Sequence, residues 1–162
     1  MTFEEFLHAE MAGLARYAGA LTGNHHQAED VLSDALLIVS TRWWRIGRMA
    51  HPLAYVRRVV TSTFLSEQRT ARRRRTEVSA DPEVFDRQRH DPHGAVDDRD
   101  LVERLLARLP DRQRAAVVLR YLFDQSDDDI AVALDCSPAT VRSHLSHARA
   151  ALRLAPALTE RG

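Results

Sequence analysis

Lysine is absent from this 162-residue chain: all 23 basic residues are arginine. That absence reflects a GC-rich coding genome more readily than a design for nucleic acid, although arginine's planar fork does suit phosphate and guanine. Cysteine occurs once, at Cys136. One thiol excludes an intramolecular disulfide framework and a cysteine-rich zinc module. Six glycines and six prolines are too few for a repeat fibre or a Pro/Gly-rich disordered chain. No apolar run approaches the roughly 18 residues that a membrane-spanning helix needs. The opening MTFEEFLHAEM is acidic and amphipathic, unlike the basic flank and apolar stretch of a signal peptide. A soluble, cytoplasmic protein with no membrane association is expected. HExxH, a Gly-rich phosphate loop and GxSxG are all missing. Among the eight histidines, His25 and His26 are adjacent and face different directions. His144 and His147 have helical spacing but no carboxylate at ligand spacing. No catalytic residue, metal site or cofactor is expected.

What is present is charge, unevenly placed. Residues 1–41 carry six acids against Arg16, and residues 42–75 carry ten arginines against Glu67, a net of +9. Residues 76–100 hold eight acids against three arginines, and residues 101–162 hold nine arginines against eight acids. The chain total is zero, yet one short block holds nearly all the excess positive charge. Concentrated charge attracts phosphate whatever the total. Charge alone leaves a solvated basic face equally open.

Apolar spacing predicts an all-α protein of two small helical domains. Phe3, Phe6, Leu7, Met11, Leu14, Ala18 and Leu21 form one stripe of a helix from about Thr2 to Leu21, stopped by Thr22-Gly23-Asn24, with Gly23 as a left-handed cap. A second helix is expected from about Gln27 to Trp44, with Val31, Ala35, Ile38 and Val39 inward. Its early acids Glu29, Asp30 and Asp34 suit the positive end of the helix dipole. Arg45 to His51 reads as a loop. Pro52 then starts a third helix, running into Arg72-Arg73-Arg74-Arg75. From Thr76 to about Val96 the periodicity vanishes in an acidic stretch with Pro82 and Pro92, read as a flexible linker. Helical period resumes with Leu101, Leu105, Leu106 and Leu109, breaks at Pro110, and returns across Ala115 to Leu122.

The most informative stretch is Ser126 to Leu154. Ser126-Asp127-Asp128-Asp129 fits a capping box, with Asp129 reaching back to the cap. The short helix it opens ends near Asp135. Ser137-Pro138 then supplies a serine cap and a proline at the first helical position. The following helix puts Val141, Leu145, Ala148 and Leu152 on one face. Arg142, Ser143, Ser146, His147 and Arg149 lie on the other. Two short helices around a tight turn, the second with a hydrogen-bonding outer face, make a helix-turn-helix pattern. Such a second helix fits the major groove and reads base edges. An ordinary helical hairpin with a solvated face is the weaker alternative.

Residues 106–153, LARLPDRQRAAVVLRYLFDQSDDDIAVALDCSPATVRSHLSHARAALR, resemble domain 4 of the extracytoplasmic-function sigma factors of the sigma-70 family. AEDVLSDALLIVSTRWWRI (28–46) and PLAYVRRVVTSTFLSEQRTARRRR (52–75) resemble domain 2 of the same proteins. The resemblance implies domain 2 over 1–75, a linker over 76–96 and domain 4 over 97–156. It implies binding to core RNA polymerase through the β′ clamp helices and the β flap, recognition of −10 and −35 promoter DNA, and an anti-sigma factor as a further partner. Glu29, Asp30, Leu32, Asp34 and Leu36 then fall in the polymerase-binding helix. Trp43, Trp44, Arg45, Arg48, His51 and Ser62 fall around the −10 element, one tryptophan being assigned to the core. Arg57, Arg58, Arg69, Arg72 and Arg73 would meet phosphate near the melted region. Thr140, Arg142, Ser143, His144, Ser146, His147 and Arg149 would serve the −35 helix.

Three positions depart from the family pattern. His144 and His147 stand where arginine is common, and neutral imidazole cannot make the bidentate fork to guanine. An unusual −35 sequence is expected, or weak −35 binding that strengthens as pH falls toward the ordinary histidine pKa of about 6.5. Ser62 stands where asparagine is frequent, and Ser33 where glutamine is more typical. A dimeric helix-turn-helix repressor and a helical adaptor that binds polymerase without activating promoters remain the alternatives from the residues alone.

Overall fold

The computed structural model describes residues 1–78 and 98–153, all of whose regular elements are helical. Most of the expected linker, from residue 79 onward, lies outside the described residues, as do 154–156 of the expected second domain.

Helix α1 spans Phe3–Thr22. Thr2 opens it with a complete capping box: its hydroxyl accepts from the Glu5 amide at 3.1 Å, and the Glu5 carboxylate accepts from the Thr2 amide at 2.7 Å. The T-x-x-E spacing carried that signal, and the sequence reading passed over it. Gly23 closes α1 at φ 64°, in the left-handed region expected of it. Asn24 caps helix α2, His25–Thr41, by accepting from the Gln27 amide. The expected single helix to Trp44 breaks instead at Arg42, and a short helix α3 covers Trp43–Ile46. The break has a packing cause. Ile46 is fully buried, and Trp43 stacks on Phe6 at 4.8 Å and Phe3 at 5.5 Å. The axis turns so that both can reach the core.

Helix α4, Pro52–Val78, is long and basic toward its end. Val56, Val60 and Phe64 are its buried stripe. Each such side chain contributes about 1.5–3 kcal/mol on full burial. Thr61 is also buried, and its hydroxyl bonds the Tyr17 phenol of α1.

The second group of helices begins with α5, Asp98–Ala107, and α6, Asp111–Val117, separated at Pro110 as expected. The chain then widens into a π turn at Val118–Leu122. Helix α7, Asp127–Leu134, is capped by Ser126, whose hydroxyl accepts from the Asp129 amide at 3.2 Å. The reciprocal arm differs from expectation: the Asp129 carboxylate accepts from the Ser126 hydroxyl at 2.9 Å. Asp135 ends α7 at φ 53°. Helix α8, Pro138–Leu152, starts on the Ser137 cap and buries Val141, Leu145 and Ala148.

Helices α1, α2 and α4 pack on one another, as do α6, α7 and α8. The two lobes are not merely tethered. Helix α4 lies along α7, and one continuous apolar cluster runs from Phe6 to Ala148.

Candidate nucleic-acid interface

Helix α8 presents the outer face that the sequence suggests. Thr140, Arg142, Ser143, Ser146, His147 and Arg149 are exposed. The Ser137 hydroxyl accepts from the Thr140 amide at 3.1 Å and fixes the start of the helix. Asp127, at the start of α7, pairs with Arg120 and stands 3.7 Å from Arg142. Arg149 lies 3.4 Å from the Tyr121 hydroxyl. His144 does not share this face. It is half-buried in a cleft of about 270 Å³ between the lobes, with Arg69 and Arg72 of α4 and Asp111 and Arg112 of α6. Desolvation, then the charge of Arg112 and the nearness of His147, hold the His144 imidazole below its ordinary pKa. Its charging is therefore displaced below the pH of about 6.5 given by an unperturbed histidine.

In the first lobe a groove of about 470 Å³ lies between α2, α3 and α4. Arg45, Arg58 and Ser62, all candidates from the sequence, line it together with Ile38, Arg42, Tyr55, Val59 and Thr63. Three guanidinium groups around an aromatic ring and hydroxyls can take both the phosphate and the face of an unpaired nucleotide. Arg42, Tyr55 and Thr63 were missed by sequence reading. The signal existed, because residues 55, 58, 59, 62 and 63 share one helical face. Arg48 and His51 are exposed on the adjoining turn. Arg69, Arg72 and Arg73 lie beyond the groove, since seven residues from Ser62 to Arg69 advance about 10 Å along a helix.

The tryptophans divide. Trp44 is 69% exposed on α3, the helix whose Arg45 lines the groove. Trp43 packs on Phe3 and Phe6, and its indole nitrogen donates to the Met1 carbonyl at 3.2 Å. It is a packing residue, which corrects its place among the base-stacking candidates. Gly47 explains the fit: a Cβ there would stand 3.0 Å from the Trp43 ring.

Helix α2 turns Glu29, Asp30 and Asp34 outward. Leu32 and Leu36 are half-buried and pack against the core, so each shows only part of its side chain on this face. Leu37 is left outside at 67% exposure, and Ile38, expected inward, is exposed at 41% on the groove side. Glu67 of α4 joins the acidic face. Burial and the neighbouring Asp34 and Asp30 carboxylates push its carboxyl above the ordinary range.

The lobes meet through polar contacts as well as packing. Arg114, nearly buried, donates to the carbonyls of Leu106 at 2.9 Å, Leu109 at 3.2 Å and, in α1, Leu21 at 2.7 Å. Burial pulls its guanidinium below the ordinary range, opposed by Asp111. Asp111 accepts from Arg72 and from Gln68 of α4. Arg58 meets Asp135 at 3.2 Å, and Arg57 lies 5.2 Å over the Phe123 ring.

Comparison with known proteins adds to this geometry. Residues 99–152 match the family model described as sigma-70, region 4. The chain is 31% identical over 153 residues to an RNA polymerase sigma-E factor of Streptomyces avermitilis, covering 94% of this chain and 84% of that one. It is 37% identical over 149 residues to the ECF RNA polymerase sigma factor SigL of Mycobacterium tuberculosis, covering 88% and 82%. In fold it resembles the sigma factor RpoE of Bartonella quintana, solved with the anti-sigma factor NepR, at a TM-score of 0.76 and 24% identity over 97% of this chain and 98% of that one. The NMR structure of the PhyRSL–NepR complex from Sphingomonas sp. Fr1 is similar at a TM-score of 0.69 and 19% identity, over 100% and 96%.

Proposed function

Because the chain belongs to the extracytoplasmic-function sigma factors of the sigma-70 family, we propose a mechanism in which each face described above has one task in transcription initiation. The protein directs initiation by binding core RNA polymerase and recognising the −10 and −35 promoter elements. Domain 2, over 1–75, docks on the β′ clamp helices through the acidic face of Glu29, Asp30 and Asp34, with Leu37 as its apolar contact. Domain 4, over 97–156, docks on the β flap and sets α8 in the −35 major groove, with the acidic stretch 76–96 between the two.

Arg142, Ser143, Ser146 and His147 read base edges there, while Thr140 and Arg149 hold the backbone. Phosphate contacts position without reading sequence, so Arg57, Arg58, Arg69, Arg72 and Arg73 add affinity that weakens with salt. At the −10 element the groove of Arg42, Arg45, Tyr55, Arg58 and Ser62 takes an unpaired nucleotide, and Trp44 supplies an open aromatic face. Arg48 and His51 border its entrance. Opening costs about 1.4 kcal/mol per stacked step. Capture of flipped bases offsets it, each stacked base being worth about 1–3 kcal/mol.

Fixing both lobes on polymerase makes the second promoter contact effectively intramolecular. The chain itself carries out no bond chemistry and needs no cofactor; polymerase supplies the reaction, in the cytoplasm. An anti-sigma factor is a further partner in this reading, by analogy with the RpoE neighbour held by NepR.

One observation supports the reading: α2 carries the exposed carboxylates of Glu29, Asp30 and Asp34, and the arginine-lined groove runs between α2, α3 and α4. The test is binding of the labelled full chain to purified bacterial core polymerase. Tight association is expected, weakened at least tenfold by Asp30→Ala with Asp34→Ala. No association, or no effect of the pair, would overturn it.

A further inference from the structure

We propose that the cleft beside His144 is a binding site for a small diphosphate anion, held by Arg69, Arg72 and Arg112. The inference goes beyond the promoter reading above and needs none of it.

The cleft, of about 270 Å³, takes its walls from three helices: Arg69 and Arg72 of α4, Asp111 and Arg112 of α6, and His144 of α8. Asp111 is the only carboxylate among the lining residues, and it is already engaged. It binds Arg72, stands 3.5 Å from Arg114 and accepts from Gln68 at 3.3 Å. With a side chain only 8% exposed, it orients Arg72 and has little charge left for the open space. Arg112 donates one nitrogen to the Leu134 carbonyl at 2.9 Å, which fixes the guanidinium without cancelling its charge. Arg69 has no hydrogen-bond or ion-pair partner among the described residues. Positive groups from separate helices thus converge on one recess without matching negative charge, the arrangement that concentrates an anion. The His144 imidazole responds to the same surroundings: desolvation, then Arg112 and His147, hold it below its ordinary pKa.

The chemistry of the lining selects the ligand. Guanidinium forks meet phosphoryl oxygens through paired hydrogen bonds, and forks on opposite walls suit an anion with charge at two centres. A volume of about 270 Å³ equals about nine waters at the liquid's ~30 Å³ each. It lies below the roughly 300–1,000 Å³ of pockets that enclose drug-sized molecules. A diphosphate group fits these limits, either as the free ion or as the end of a nucleotide whose base stays outside.

The test is calorimetric titration of the full chain with inorganic pyrophosphate, at low salt and neutral pH without divalent metal. Binding should saturate at one ion per chain, and orthophosphate should bind at least tenfold more weakly. GDP separates the sources: affinity equal to or above that of pyrophosphate assigns the diphosphate end of a larger molecule, and weaker affinity assigns the free ion. Arg69→Gln with Arg112→Gln should weaken pyrophosphate at least tenfold. Arg74→Gln with Arg75→Gln removes the same charge from exposed positions outside the cleft and should change affinity less than twofold. Arg69→Gln alone breaks no described contact, should cost at least threefold, and guards against a folding defect in the pair. The His144 ring proton, assigned by its loss in His144→Gln, should titrate at higher pH with pyrophosphate bound.

No saturable binding, an equal loss from the two arginine pairs, or an unmoved His144 titration overturns the site. Orthophosphate as tight as pyrophosphate overturns the diphosphate assignment. Association with core polymerase is measured separately, so failure here is distinguishable from failure of the sigma-factor function.

Discussion

Arg114 of α6 donates to the carbonyl of Leu21 at 2.7 Å, joining the second lobe to the end of α1 across 93 positions of sequence. The bond satisfies one of the carbonyls that every helix leaves without a partner in its last turn. The same guanidinium holds Leu106 and Leu109 and stands 3.5 Å from Asp111. It therefore organises both the α5–α6 corner and the contact between lobes.

Arg114→Met is expected to remove a donor from three carbonyl groups, of which Leu106 keeps the Leu109 amide, and to leave Asp111 with one fewer cation. Removing one partner of a buried ion pair costs about 3–5 kcal/mol. Urea unfolding followed by circular dichroism measures it. Arg114→Lys should recover little, because an ammonium cannot span the same fork of acceptors.

His147→Arg is expected to change −35 choice. His147 is exposed on α8, and a new guanidinium there can pair bidentately with guanine, worth about 1–3 kcal/mol of discrimination. Promoter selection with the holoenzyme reports the preference. If the new charge reaches phosphate instead, the salt slope steepens by about 1 with little change in preference. His144→Arg should act differently, by driving a cation into the cleft that already holds Arg69, Arg72 and Arg112 and loosening the lobes.

Acid should loosen them as well. Arg69 and Arg72 from α4, Asp111 and Arg112 from α6, and His147 from its own helix surround or adjoin His144, whose folded pKa is depressed mainly by desolvation. The unfolded group takes up its proton first, near pH 6.5. Its contribution is thus complete above about pH 6.5 and declines as pH falls below it. Thermal unfolding at pH 7.5 and 5.5 should show an acid loss that His144→Gln reduces. The same depression moves any gain in −35 binding from a charged His144 to lower pH than an ordinary histidine would give.

Trp44→Phe should remove most of the fluorescence that acrylamide and single-stranded DNA can quench, and Trp43→Phe should not. Gly47→Ala should instead disturb Trp43, by crowding its ring. Overpacking of this kind costs about 1–3 kcal/mol, read as a lower unfolding midpoint with a shifted Trp43 emission.

Much of this was legible in the residues. Gly23, Pro52, Pro110, Ser126 and Ser137-Pro138 mark helix ends by local chemistry, and the structure puts ends at each. The outward face of α8, Arg142, Ser143, Ser146, His147 and Arg149, followed from spacing; His144 entered through the family resemblance alone and is half-buried. What local pattern could not carry was what covers each face. Arg58 and Asp135 are 77 positions apart, and nothing in either neighbourhood announces the other. Periodicity marked Leu32, Leu36 and Ile38 as apolar, yet only packing shows that Leu37 and Ile38 are left outside. The break at Arg42 was hidden for the same reason, since Trp43 and Ile46 turn the axis by finding the core.

The central claim is that this chain gives polymerase its choice of promoter. Run-off transcription on fragmented genomic DNA, with purified core polymerase in the presence and absence of the protein, tests it most directly. Discrete transcripts that appear only with the protein, and disappear when Asp30 and Asp34 are both changed to alanine, are the expected result. An unchanged transcript pattern would contradict the claim.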